Sequence, residues 1–284
     1  MSIDLIVNGL QQGFILAIIA YGIMIPFRFL DFADLTADGA YPLGGAVCAV
    51  CMLTGMHHIT VVAIPASMVG AGIMGICTAL IHLKLRVNSM LAGIILSTMA
   101  YSVNLRVMGK PNIALFDCGG LFQESIGHNI LIIAAILAVC VIPFAVFLRT
   151  DFGLRFRAVG MNPNLAKQQK ISIEKYTIFG LFVSGTMFGL AGSLIVQLQN
   201  YMDVGIGVGI LIHGLASLMI GEVMVGNATL SQQLVAPLLG ALVYQQAQGI
   251  ALSFGLAPSD LKFFTGSVVL LVTALPKNRI LKRA

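Results

Sequence analysis

Charged residues are scarce in this chain of 284 residues. Only 10% are Asp, Glu, Lys or Arg, against about 25% in soluble domains, whereas 58% are hydrophobic and the mean hydropathy is +0.97. No polar stretch outside the apolar runs is long enough to form an independent core. The composition therefore excludes a soluble domain and predicts one polytopic membrane domain, residues 1–284.

The common catalytic signatures are also absent. The only Gly-Lys pair, Gly109-Lys110, runs into Pro111 rather than completing a phosphate-binding loop of the form G-x-x-x-x-G-K-[ST]. No H-E-x-x-H or G-x-S-x-G pattern occurs. We therefore expect a protein that is not an enzyme, that cannot hydrolyse ATP by itself and that holds no cofactor.

Cysteine is present in an odd number, five, and four of the five lie inside apolar runs, which excludes a disulfide framework. Cys48-x-x-Cys51 followed by His57-His58 has the residue types of a metal site. These cysteines fall within an apolar helix, however, where cysteine usually packs as a small hydrophobic residue. We therefore expect no metal.

The apolar segments predict an all-α bundle of transmembrane helices with about nine spans, within a range of eight to ten. The first apolar run lacks the basic start and cleavage site of a signal peptide, so it is a retained span. Most segments are long enough to cross a hydrocarbon core of about 30 Å. The nine segments are 5–27, 39–56, 59–81, 87–105, 129–148, 176–200, 205–221, 232–254 and 259–276.

Two of these segments are weak. Segment 39–56 is short and contains Pro42, and segment 205–221 contains His213 and ends at Glu222. We predict that one or both are broken or re-entrant helices, which are tolerated at membrane depth where they line a path or are buried in protein.

The positions of the basic residues predict the orientation. If the charged loop 149–175 is cytoplasmic, thirteen of the 16 Lys and Arg residues lie on the cytoplasmic side. The remaining three are Arg106, Lys110 and Lys262. The positive-inside rule then places the N-terminus outside and the C-terminus in the cytoplasm. This distribution also explains the net charge of +5 without a nucleic-acid partner.

The loop 149–175 carries a specific pattern. Asn162-Pro163 favours a helix start, because asparagine caps exposed N–H groups and proline suits the first turn, so a short surface helix is predicted from Pro163 to Gln169. The stretch from Arg155 to Ala166 resembles the cytoplasmic coupling loop of binding-protein-dependent ABC importer permeases of the branched-chain amino acid and ribose type. Its members are Arg155, Arg157, Ala158, Gly160, Met161, Asn162, Pro163, Asn164, Leu165 and Ala166.

Two further regions are similar to the same family. The span with Gly185, Gly189 and Gly192 matches the span that follows the family's coupling loop, and its small residues also have helix-packing spacing. The run Leu30 to Gly45 resembles the family's segment after the first span. Its Asp-Leu-Thr-x-Asp-Gly variant resembles a subgroup linked to uptake of aromatic amino acids such as tryptophan or tyrosine.

The resemblance implies the membrane subunit of an importer in the bacterial inner membrane, moving a small polar solute, such as an amino acid, by alternating access. It further implies a separate cytoplasmic ABC ATPase dimer that binds ATP and Mg²⁺, an extracytoplasmic solute-binding protein, and a second permease copy forming a homodimer within membrane lipid.

Polar residues near membrane depth suggest the route of the solute, because such groups usually face a path or a partner. The candidates are Asp34, Thr36, Asp38, Asn104, His213 and Glu222. The acidic residues leave open a secondary carrier that couples to an ion gradient through Asp34, Asp38, Asp203 or Glu222. A membrane-embedded enzyme or scaffold is a third alternative, which no sequence motif supports.

Overall fold

The structure, a computed structural model, describes residues 3–54, 59–116, 118, 120–122, 126–255 and 260–274. These residues are mostly helical. The α-helices are α1 Ile3–Met24, α2 Ala37–Leu53, α3 Ile59–Leu85, α4 Ser89–Met108, α5 Ile126–Phe147, α6 Asp151–Met161, α7 Pro163–Gln168, α8 Ile173–Gln199, α9 Ile210–Val225, α10 Leu230–Ser253 and α11 Leu261–Ala274.

The all-α prediction is confirmed, and each of the nine predicted segments contains a helix. Within the described residues, six segments are long and apolar enough to cross a membrane. They are Ile6–Phe29, Val62–Leu85, Ser89–Met108, Gly127–Phe147, Ile173–Gln199 and Val204–Val225. Helix α2 is apolar but has only 17 residues. The count of nine spans and the orientation of the termini stay predictions.

The chain divides into two compact units. The larger unit comprises Tyr21–Leu211, and the smaller one comprises Met1–Ala20 and Ile212–Ala284. Helix α8 is central to the larger unit, where it packs along both α2 and α3. Each unit is considered by itself below.

Glycines allow α8 to approach its neighbours at backbone distance. A Cβ atom on Gly189 would lie 2.8 Å from the Ala71 Cβ of α3 and 2.9 Å from the Ser67 carbonyl carbon. Gly185 likewise faces the Ala71 carbonyl, and Gly192 faces the Tyr41 carbonyl of α2. Small residues have this function in membrane bundles, where helix association depends on close van der Waals packing.

Segment 205–221 is broken, as the sequence suggested. Val204–Gly207 forms a short 3₁₀ helix. The chain then turns through Gly209, whose φ of 87° is in the left-handed region that favours glycine. Helix α9 begins only at Ile210. Helix α2, in contrast, is continuous through Pro42.

A two-stranded ribbon closes the end of the larger unit at which α8 terminates. Strand β1, Asn112–Ala114, pairs antiparallel with strand β2, Tyr201–Asp203, with Ile113 opposite Met202. Helix α8 has 27 residues and is therefore about 40 Å long. The ribbon and the α6–α7 region thus lie at opposite ends of α8.

Substituting Gly189 with Val tests the role of the glycine contacts. We expect Gly189→Val to destabilise the protein by about 1–3 kcal/mol, because the added side chain overlaps α3. The thermal unfolding midpoint in detergent would fall accordingly. Gly127→Val is the matched control, since a Cβ there meets no atom within 4 Å. Equal midpoints for the two variants would contradict this role.

Candidate functional site

The charged loop 149–175 folds into two consecutive helices. The Thr150 side chain accepts a hydrogen bond from the Gly153 N–H at the start of α6, and the Asn162 side chain accepts one of 3.1 Å from the Leu165 N–H at the start of α7. The predicted short helix is thereby confirmed, although it ends at Gln168. After the coupling loop that its sequence resembles, we call residues Asp151–Gln168 the coupling element.

Helix α6 was not predicted from the sequence. Its signal is the helical spacing of Phe152, Phe156 and Val159, which the frequent glycines and charges of the loop obscured. Phe156 is only 1% exposed and Val159 only 2%. Because α6 buries these side chains, the coupling element is packed onto the membrane helices.

An aromatic cluster receives the buried face of α6. The Phe156 ring lies 6.3 Å from Phe29 and from Phe147, and 6.4 Å from Phe179, measured between ring centroids. Phe144, Phe152 and Tyr176 extend the cluster. Tilted and edge-to-face aromatic pairs at such distances are favourable beyond their burial alone. The cluster fastens α6 to the ends of α5 and α8.

Gly160 brings α6 directly against the end of the first span. A Cβ atom on Gly160 would overlap the Phe29 carbonyl and lie 2.8 Å from the Leu30 Cα. Phe29 ends a π-helical turn, Ile25–Phe29, which continues α1. Such turns occur frequently at functional positions. The coupling element thus touches the backbone at the point where the first span becomes the linker to α2.

The apex of the coupling element is exposed and partly apolar. Met161 is 86% exposed and Leu165 is 50% exposed, with Asn162, Pro163 and Asn164 exposed between them, whereas Ala166 is buried beneath. Arg155 is exposed, and Arg157 and Ala158 are half-buried. A projecting apolar tip on a buried base is suited to insertion into a protein partner.

A cavity of about 590 Å³ opens beside this element, between α6 and the start of α8. Arg155, Lys170 and Lys175 contribute positive charge to its lining, and Asp151 contributes a negative one. The lining of this cavity is therefore predominantly basic.

The linker from Leu30 to Thr36 leads from Phe29 to α2. Asp31 turns the chain with a φ of 50°. The Asp34 carboxylate, 2% exposed, accepts hydrogen bonds from the Thr36 N–H, at 2.9 Å, and from the Thr36 hydroxyl. The Thr36 hydroxyl also lies 2.9 Å from that of Thr78 on α3. Two predicted path residues, Asp34 and Thr36, thus form one buried network.

Asp38 has a different partner. Its carboxylate accepts a hydrogen bond of 3.0 Å from the Leu211 N–H, and so caps the start of α9. Gly207 packs on the Asp38 carbonyl and on the Pro42 ring, where a Cβ atom would lie 2.7 Å from the proline Cδ. The starts of α2 and α9 therefore meet at Asp38.

The other predicted path residues are distributed over both units. Asn104 is completely buried on α4 in the larger unit. His213 and Glu222 lie on α9 in the smaller unit. Sequence reasoning missed the partners of His213. The Tyr244 hydroxyl lies 3.1 Å from His213 Nδ1 and 2.7 Å from the Thr265 hydroxyl, and Gln248 donates to it at 2.8 Å.

The possible metal site at Cys48 and Cys51 gains no further ligands in the described part of the chain. No group of three or more His, Cys, Asp or Glu side chains there could hold a metal ion. His57 and His58 lie outside the described residues.

Comparison with known proteins assigns this chain to a family. The model of the family described as branched-chain amino acid transport system, permease component, matches residues 5–274. The chain is 34% identical over 265 residues to a tyrosine transport system permease protein of Clostridioides difficile, covering 93% of this chain and 89% of that protein. It is 25% identical over 250 residues to the ribose import permease protein of Haemophilus influenzae, with 85% and 75% coverage.

A solved structure shares the fold. The structure of a metal-chelate type ABC transporter in an inward-facing conformation aligns with 99% of this chain and 86% of its own, with a TM-score of 0.50 and 16% identity. At that identity the likeness concerns the fold alone.

The cap at Asn162 can be tested by substitution. Asn162→Ala removes the acceptor for the Leu165 N–H, and losing such a cap costs about 1 kcal/mol. We expect hydrogen exchange at the Leu165 amide to accelerate roughly fivefold. Asn162→Asp keeps an acceptor oxygen and should exchange like the natural protein, as should Asn164→Ala. Unchanged exchange in Asn162→Ala would show that α7 does not depend on this cap.

Proposed function

The chain belongs to the family of branched-chain amino acid transport system permease components, and from this membership we propose that it is the membrane subunit of an ATP-driven amino acid importer. The observation that carries the proposal is the coupling element, a pair of helices with a buried base and an exposed apolar tip. An ATP-driven permease that lacks a phosphate-binding loop of its own requires such a docking element for a separate ATPase.

We propose an aromatic amino acid, with tyrosine as the first candidate, as the solute. The support is the tyrosine permease relative, which matches along 93% of this chain, together with the Asp34-Leu35-Thr36-x-Asp38-Gly39 sequence. The ribose permease relative makes a sugar the principal competitor.

The assembly that we propose has three kinds of protein component besides lipid. Two copies of this chain form the membrane part, with nine spans each, the N-terminus outside and the C-terminus in the cytoplasm. Two ABC ATPase subunits, which carry ATP and Mg²⁺, bind the coupling elements from the cytoplasm. A solute-binding protein delivers the solute from the other side of the bacterial inner membrane. Exposed apolar helices such as α5, of which only 17% is buried, contact the lipid.

We propose that movement passes from the ATPase to the path through the backbone. Displacement of the coupling element pushes on Phe29 and Leu30 through Gly160, because that contact leaves no space for a side chain. The linker Leu30–Thr36 is held to α3 by Thr36 and Thr78 and ends at α2. Phe29 and Asp38 are only nine residues apart, so a shift at Phe29 is passed through this linker to Asp38.

The test of this function is reconstitution. The chain, its ATPase and its binding protein in proteoliposomes should take up labelled tyrosine only when ATP is supplied. Met161→Asp should abolish co-purification of the ATPase and lower uptake by about tenfold or more, because it places a charge on the apolar tip. Phe116→Asp, at a 76% exposed position beyond the opposite end of α8, is the control.

Two outcomes would contradict the proposed function. Uptake driven by an ion gradient in the absence of the ATPase would establish a secondary carrier. Normal ATPase binding and uptake by Met161→Asp would show that the coupling element does not contact the ATPase.

Gly160→Val separates docking from transmission. The variant should still bind the ATPase through its unchanged apex, yet ATP-driven uptake should fall about tenfold or more, because the added side chain forces α6 away from Phe29 and Leu30. Co-purification and uptake are measured on the same preparation, with Gly127→Val as the control. Full uptake by Gly160→Val would show that transmission follows another route.

A further inference from the structure

The cavity beside α6 has no role in the function proposed above. It has a volume of about 590 Å³ and lies between the first two turns of α6 and the segment that leads into α8. Its charged lining residues are Asp151, Arg155, Lys170 and Lys175. Three cations against one carboxylate leave an excess of two positive charges.

This excess is not neutralised by neighbouring side chains. Among the residues that the structure describes, none forms an ion pair with Arg155, Lys170 or Lys175. Asp151 belongs to the first turn of α6, where the helix dipole already compensates a negative charge. The Ser172 hydroxyl makes no cap bond to α8 and adds a hydrogen-bond donor to the lining. The cavity thus offers an anion both positive charge and donors.

The cavity lies where a polar loop meets a membrane span. Lys175 is the last charged residue before the charge-free stretch 176–202, and Tyr176, the first residue of that stretch, is buried in the cavity wall. Basic residues beside a span and tyrosine at its end are typical of the membrane–water interface. An anion in this cavity would therefore lie at the depth of the lipid headgroups.

An apolar surface leads from the cavity to α5. The Tyr176 ring lies 4.7 Å from that of Phe152, which is exposed, and Phe152 lies 5.5 Å from Phe147 at the end of α5, measured between ring centroids. An exposed stripe of α5, with helical spacings of three and four residues, ends one residue before Phe147. It consists of Val139, Ile142 and Val146. A basic cavity is thus joined to a surface that suits hydrocarbon chains.

Phospholipids combine a phosphate with hydrocarbon chains, and so match both parts of this surface. A zwitterionic headgroup carries its own ammonium and would leave the positive excess uncompensated. Met161 and Leu165, which we propose for the ATPase contact, do not line the cavity. We propose that the cavity binds the headgroup of an anionic phospholipid whose chains lie along α5. This inference requires a membrane-embedded chain but not the importer function.

Lipid binding to the complete chain in detergent micelles tests this assignment. Native mass spectrometry measures the dissociation constants of phosphatidylglycerol, which is anionic, and of phosphatidylcholine, which is zwitterionic. A basic residue near the membrane surface strengthens the binding of anionic lipid about fivefold, so an excess of two charges predicts a preference for phosphatidylglycerol of about 25-fold. Lys170→Gln combined with Lys175→Gln removes the excess and should abolish the preference.

The matched control removes the same charge from the same loop. Arg149 and Lys167 are exposed but do not line the cavity, so Arg149→Gln combined with Lys167→Gln should keep the preference. Lys170→Arg combined with Lys175→Arg should keep it as well, because the charge is unchanged. An equal loss in both glutamine pairs, with unchanged thermal unfolding midpoints, would show that lipid responds to the overall charge of the loop and would overturn the assignment to the cavity.

Three further results would overturn the proposal. The first is a natural protein that binds both lipids equally well. The second is displacement of phosphatidylglycerol by millimolar inorganic phosphate, which would show that the cavity binds phosphate without the hydrocarbon chains. The third is loss of ATPase co-purification by the Lys170→Gln and Lys175→Gln pair with an unchanged lipid preference, which would assign the cavity to the ATPase contact.

Discussion

The backbone contact of α8 with α2 and α3 is the constraint on which the larger unit depends. In lipid, helices gain little from burying apolar surface, because the hydrocarbon is equally apolar, so association depends on close packing. Gly185, Gly189 and Gly192 provide it by removing side chains where three helices meet. With α8 fixed in this way, one of its ends supports the aromatic cluster beneath the coupling element, and the other supports the β1–β2 ribbon.

The same principle of close approach connects the coupling element to the candidate path. Gly160 allows α6 to press on Phe29 and Leu30, and Gly207 allows the 3₁₀ helix to press on Asp38 and Pro42. Between these two contacts runs a non-helical linker whose polar groups are satisfied by Asp34, Thr36 and Thr78. A short linker held at both ends transmits displacement, because little of it can deform independently. At the far end of this linker, Asp38 caps the start of α9.

Much of the architecture was predictable because in lipid the backbone must satisfy its own hydrogen bonds, which favours helices. Charge-free segments near 20 residues must be helical, so each predicted segment contains a helix, and Asn162-Pro163 marked the start of α7. Of the two segments for which a break was predicted, 205–221 is interrupted at Gly209, whereas 39–56 contains a continuous helix. Helix α6 was missed because glycines and arginines interrupt the pattern of its buried aromatic face. The packing role of Gly160 depends on its contact with Phe29, which is distant in sequence. The partners of His213 were missed because Tyr244, Gln248 and Thr265 are distant in sequence.

The sequence by itself determined that this is a helical membrane protein, and it predicted the start of α7 in the loop for which we propose an ATPase contact. Composition and local motifs suffice for these conclusions, since hydropathy and helix capping act over a few neighbouring residues. Only the tertiary structure decided which polar residues are satisfied and which are not. Asp34 bonds Thr36, Asp38 caps α9, and Asn104 is left with no partner in the described chain. Hydrogen bonding at membrane depth depends on atoms brought together from separate helices, and no local pattern contains that information.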